Sequence, residues 1–187
     1  VWFERLVARA SGKADFTMPY WDWDDDVIPD AFWRDELYDP TRRARQGDRV
    51  SDFMRQYGYS LRGRLTDDFP TFIGRTRTSS NPQGSLSGSA EWSGHNLIHT
   101  FVGGDMGDLG TSPNDPLFWL HHANIDRIWS IWHSRRSAQV YPKAWRDEQL
   151  GGFFGPTGLI MPTVTAGTTI DTAAFGYAYP YDPTPPV

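Results

Sequence analysis

The segment NDPLFWLHHANIDRIWSIW, residues 114–132, constrains the fold most, because it carries its own helix start. Asn114 or Asp115 falls at the N-cap and Pro116 in the first turn, so a helix must begin there and the rest of the chain must pack around it. Gly and Pro, 18 and 14 of 187 residues, make up about 17% against roughly 12% in average usage, so much of the remainder reads as loop held by a small helical core. Aromatic residues at 15%, nine of them Trp, supply that core. A chain of this length buries roughly 70% of its unfolded surface, enough for one domain over residues 1–187. The expected fold is mainly α and loop-rich, with little β.

Other elements follow from spacing. VWFERLVARA reads as an amphipathic helix already under way, with Trp2, Leu6 and Ala10, or Phe3, Leu6, Val7 and Ala10, at helical spacing, and Ser11-Gly12-Lys13 ends it. These first residues carry neither an initiator Met nor signal-peptide architecture, so an internal starting point is expected. Met18 to Trp23 (MPYWDW) is an extended aromatic segment expected to pack in the core, since Pro19 biases Met18 away from helix. Asp24-Asp25-Asp26 lacks the Gly and Glu positions of an EF-hand loop and reads as solvated loop. Val50, Phe53, Met54, Tyr57 and Leu61 predict a short helix over 49–62, weakened by Gly58. Residues 67–94, rich in Ser, Gly, Pro and Thr, read as a long surface excursion.

Composition narrows the function. The formal net charge of -5 argues against a nucleic-acid partner, which needs a basic surface. Without any Cys, disulfides, zinc ribbons, iron–sulfur sites and thiol nucleophiles are excluded, leaving His and carboxylates as the strong metal ligands. No apolar run approaches the ~20 residues of a membrane span, so a soluble chain is expected, in a compartment the sequence leaves open.

All five His lie at 95, 99, 121, 122 and 133. His95 and His99 are four apart, so on a helix both imidazoles reach one ion; two ordinary hydrogen-bonded imidazoles satisfy the same pattern. The pair lacks the Glu of HExxH, which argues against a zincin-type hydrolase. In the second segment Phe118, His122, Ile125 or Asp126, and Trp129 share a face, whereas His121 points about 100° away. Only one of the adjacent pair is therefore expected to face a given ion. With the helices antiparallel about the Gly-rich turn 103–112, His95, His99 and His122 converge. Three neutral imidazoles without carboxylate ligands favour copper or zinc, and spacing does not choose between them.

Two segments, MPYWDWDDD and EWSGHNLIHTFVGGDMGDLGTSPNDPLFWLHHANIDRIWSIWHS, together resemble the tyrosinase family of type 3 copper proteins, the second matching its copper-B motif almost throughout. Phe175-Gly176-Tyr177-Ala178-Tyr179 resembles the Tyr-x-Tyr mark that ends the family's catalytic domain. The resemblance implies a helical bundle around a type 3 copper site, with His95, His99 and His122 as copper-B ligands and His121 just outside them. It implies that Phe118 packs beside the metal, that Leu109 gates substrate entry, and that Thr100 influences the choice between monophenol and diphenol. Glu91 and Asn96 match the pair that holds a water used to deprotonate a phenol, and Asp126 is placed either to orient an imidazole or to pair with Arg127 or Arg135. The implied activity is O2-dependent oxidation, and ortho-hydroxylation, of phenols or catechols to o-quinones.

That chemistry needs two coppers with three His each, and only three ligands match here. The copper-A ligands are expected before PYWDW, in an upstream segment or another chain, with a copper-delivery partner as a further expectation. The alternatives are a reversible O2-binding protein of the same copper class, or a half-site holding at most one metal ion. Lack of Cys rules out the Cys–His thioether of many plant and fungal members and tilts the resemblance toward bacterial enzymes.

Overall fold

The computed structural model describes residues 1–56, 65, 67–74, 88–135, 141–155 and 157–180. The described chain is mainly helical and falls into two compact units, residues 1–18 with 133–180 and residues 19–132.

The first unit opens with α1 (Trp2–Ser11), which ends where Gly12 adopts a left-handed conformation (φ 70°) and its N–H caps the last turn. Gly there avoids the Cβ clash of that conformation, so the expected stop is realised. Trp2 packs on Phe153 (ring centroids 4.9 Å apart), and Glu4 accepts the Met18 N–H at 2.7 Å. α6 (Lys143–Arg146) precedes a two-stranded antiparallel ribbon, β1 (Gln149–Leu150) with β2 (Val164–Thr165), paired Gln149 to Thr165 and Leu150 to Val164. The fifth histidine, His133, lies in this unit, its Nδ1 2.5 Å from the buried Tyr141 hydroxyl. Burial raises that hydroxyl's pKa to about 12.

The second unit holds the core. Trp21 and Trp23 are buried with Ile28, Phe32, Ile98, Val102 and Leu117, so the aromatic segment packs inside as expected. Trp21 also donates its backbone N–H to the Leu120 carbonyl of α5 (Leu117–Ser134), at 3.1 Å. Within the acidic triplet Asp25 is exposed, as expected of a solvated loop, whereas Asp26 accepts the Ser51 N–H (2.6 Å) and hydroxyl (2.9 Å), fixing the start of α2 (Val50–Gln56). Tyr57 and Leu61, expected to continue α2, lie outside the described residues. The excursion begins inside rather than on the surface, because α3 (Phe69–Phe72), capped by Asp68, buries both Phe69 and Phe72. Phe72 stacks on Trp132 at 4.9 Å, and residues 75–87 are outside the described set.

After α4 (Asn96–Val102) the chain reverses at Gly103 and Gly104, both with positive φ. A Cβ on Gly104 would sit 2.2 Å from the Thr41 carbonyl oxygen, and the Val102 carbonyl accepts from the N–H groups of Arg43 and Ala44. Gly104→Ala is therefore expected to cost at least about 1–3 kcal/mol from backbone strain alone, read as a lower thermal midpoint.

α5 starts as its sequence requires: Asp115 accepts the Leu117 N–H at 2.8 Å. The same carboxylate takes two bonds from Arg42, Nε at 2.7 Å and Nη2 at 2.6 Å, in a pair that is 1% and 0% exposed. Arg42 also donates to the carbonyls of Phe32 and Leu37, so every charged atom of the pair has a partner. Among the described residues no helix is long and apolar enough to cross a membrane.

Candidate metal centre

His95 ends a π-helical turn, Glu91–His95, that leads into α4, and the Asn96 N–H closes it by donating to the Glu91 carbonyl. Single π turns widen the helix locally and are frequent at functional sites. His99 follows one α-turn later, and His121 and His122 come from α5. Among the described residues these four form a group whose ligand atoms all lie within 4.8 Å of one another.

Hydrogen bonds orient two of the rings. His95 Nδ1 lies 2.9 Å from Asn96 Oδ1, and His99 Nδ1 lies 2.6 Å from the Met106 carbonyl oxygen. A carbonyl only accepts, so with the Asn96 amide oxygen turned toward the ring both Nδ1 atoms carry the proton and both Nε2 atoms present lone pairs. Those lone pairs face each other, His95 Nε2 lying 3.2 Å from His99 Nε2, and His122 Nε2 lies 3.4 Å from His95 Nε2. Two neutral acceptors gain nothing from such a contact, whereas nitrogens bound to one ion at about 2.0–2.1 Å in tetrahedral directions stand about 3.3 Å apart. The residues thus fit a metal ion with imidazole ligands.

Burial, followed by the neighbouring imidazoles His95 and His99, pushes the His122 pKa down to about 3. His99 is also lowered, first by burial, although the Met106 carbonyl pulls the other way. Both therefore stay neutral, as ligands must, at pH 7. In the unfolded chain the same groups titrate near 6.5, so between about 6.5 and about 3 the unfolded state binds more protons and stability falls as pH falls. Urea midpoints of the metal-free chain at pH 7, 5.5 and 4 are expected to decline in that order.

The other expected residues are placed as follows. Phe118 lies against His122, ring centroids 4.1 Å apart at 34°. Glu91 is half-buried on the π turn. Thr100 is exposed, and its hydroxyl donates back to the Asn96 carbonyl at 2.9 Å. Leu109 is 97% exposed in the turn between the helices. Asp126 is half-buried, while Arg127, one of its expected partners, has Nη1 3.1 Å from an Asp22 carboxylate oxygen. His121, expected just outside the three ligands, is fully buried, and its ring lies against those of His95, His99 and His122. Sequence reasoning missed the acceptors behind His95 and His99. Only the Gly103-Gly104 reversal, which returns the Met106 carbonyl to the α4 histidine, was a signal for one of them.

Comparisons with known proteins fit this geometry. A family model described as the common central domain of tyrosinase matches residues 37–135. A tyrosinase of Hahella sp. (strain CCB-MM4) is 30% identical over 207 residues, covering 95% of this chain and 43% of that protein. A Streptomyces lincolnensis tyrosinase is 33% identical over 174 residues, covering 76% of this chain and 62% of that protein. Among solved structures, Grenache (Vitis vinifera) polyphenol oxidase superposes with a TM-score of 0.80 at 23% identity, over 97% of this chain and 62% of that one. Latent apple tyrosinase does so at 0.78 and 23%, over 97% and 46%. The chain thus spans about half the length of these relatives. The matched region includes both histidine pairs and the turn that joins them, and on that match the chain belongs to the tyrosinase family.

Proposed function

We propose that the chain is the copper-B half of a dicopper oxidase that uses O2 to turn phenols or catechols into o-quinones. The observation that carries this reading is the convergence of the His95, His99 and His122 Nε2 atoms inside the family-matched region. Bound copper supplies the redox chemistry that activates O2. His95, His99 and His122 hold the ion as neutral ligands, with Asn96 and the Met106 carbonyl keeping the protons on the far ring nitrogens. Phe118 covers one side of His122 and limits water and ring movement there. Leu109 is an apolar gate on the approach path, and Thr100 biases the choice between mono- and diphenol. Asp126, one turn after His122 on α5, either orients an imidazole or pairs with Arg127 or Arg135.

Glu91 takes the phenolic proton, with Asn96 one π turn away helping to hold the water that relays it. A phenol of pKa about 10 is a good ligand or nucleophile only as phenolate, so a nearby base matters. Glu91→Gln is then expected to slow monophenol hydroxylation on the order of 10²-fold while catechol oxidation and copper content change little, measured by quinone formation and metal analysis. The second copper takes its imidazoles from outside these residues, from another segment or a second chain, with loading assisted by a copper-delivery partner. Oxygen uptake by the complete, copper-loaded protein with simple monophenols, catechols and o-aminophenols tests the reading. Consumption with at least one class is expected, and none with any of them overturns it.

A further inference from the structure

His121 has no role in the reading above, and its setting calls for one. It is 0% exposed; one ring nitrogen reaches the His95 backbone carbonyl only in a poorly aligned contact, and the other has no hydrogen-bond partner. A buried polar group left in that state costs about 1–3 kcal/mol, so a persistent case needs a physical reason. The ring is stacked on His95 (5.3 Å, 20°) and meets His99 edge-on (4.8 Å, 88°) and His122 edge-on (5.2 Å, 82°). Trp23 backs it at 5.1 Å. One of its nitrogens lies within 4.8 Å of the ligand atoms of all three other histidines. It comes from the residue next to His122, yet it approaches from another side, because adjacent helical residues diverge by about 100°.

We propose that His121 is a displaceable fourth ligand, which closes the three-imidazole site into a four-imidazole cage around a single metal ion. This rests on the reading that His95, His99 and His122 bind metal. An ion is the partner that would satisfy the orphaned nitrogen. Four neutral imidazoles without a carboxylate or an open position suit a tetrahedral d10 ion, Zn2+ or Cu(I), and hold it closed. Release of His121 from the ion leaves three imidazoles and the open position that catalytic sites keep. The site then has a holding state and a working state that differ by one side chain.

Side-chain 15N NMR of the chain, labelled at histidine and loaded with one equivalent of Zn2+, reads this directly. Four of the five histidines are expected to show a metal-shifted ring nitrogen, with His133 unshifted. His121→Phe is expected to remove one of those signals and weaken zinc binding about 10–100-fold in competition with a chromophoric chelator. Three shifted histidines in the unsubstituted chain, with His121 unshifted, would overturn the inference while leaving the three-ligand reading intact, whether or not His121→Phe folds. Absence of stoichiometric zinc binding, or binding that survives His122→Ala unchanged, would overturn the underlying reading as well.

Discussion

His122→Ala is expected to abolish tight metal binding with little change in the fold. His122 is the α5 residue proposed above as a copper-B ligand, and its Nε2 lies 3.4 Å from that of His95. Partners behind a ligand typically contribute 10–100-fold to metal affinity, and loss of a ligand itself is expected to exceed about 100-fold. Phe118 also loses the ring it packs against, 4.1 Å away. Alanine is the best helix former, so α5 persists and far-UV circular dichroism stays unchanged. Equilibrium dialysis against Cu2+ or Zn2+ checks the affinity, and oxygen uptake by the complete protein is expected to drop to the uncatalysed rate. Unchanged affinity would remove His122 from the site.

Arg42→Met is expected to cost about 3–5 kcal/mol, the usual penalty for stranding one charge of a buried pair. Asp115 is 0% exposed and takes both its charged contacts from Arg42. For a chain of this size each kcal/mol lowers the thermal midpoint by roughly 2–4 °C, so a fall on the order of 10 °C is expected. Because Asp115 also caps α5, the loss propagates toward His121 and His122, six and seven residues further on. The double variant Arg42→Met with Asp115→Asn is expected to recover much of the deficit, since no buried charge remains and Asn still accepts the Leu117 N–H. Urea unfolding of the two single variants and the double variant measures the coupling. A cost below about 1 kcal/mol for Arg42→Met would mean that Asp115 finds solvent or another partner.

Much of the site was legible because its rules are local. The His95 and His99 spacing, the Asp115 cap, the Gly12 stop and the shared face of Phe118 and His122 each follow from geometry within one or two helical turns. The partners of Arg42 and Asp26 were not legible, because they lie 73 and 25 residues away and depend on how loops return to the core. Nor was the π turn at Glu91–His95 foreseeable, since its one-residue insertion carries no periodic signature.

Sequence by itself determined a cysteine-free, histidine-clustered, mainly helical chain and named the three imidazoles that face one another, because ligand chemistry and helical periodicity are properties of short segments. Tertiary structure decided which ring nitrogens carry protons, which carbonyls hold them, and that His121 is enclosed with the other three. Those outcomes depend on burial and on acceptors brought in from other turns, and a helical wheel contains neither.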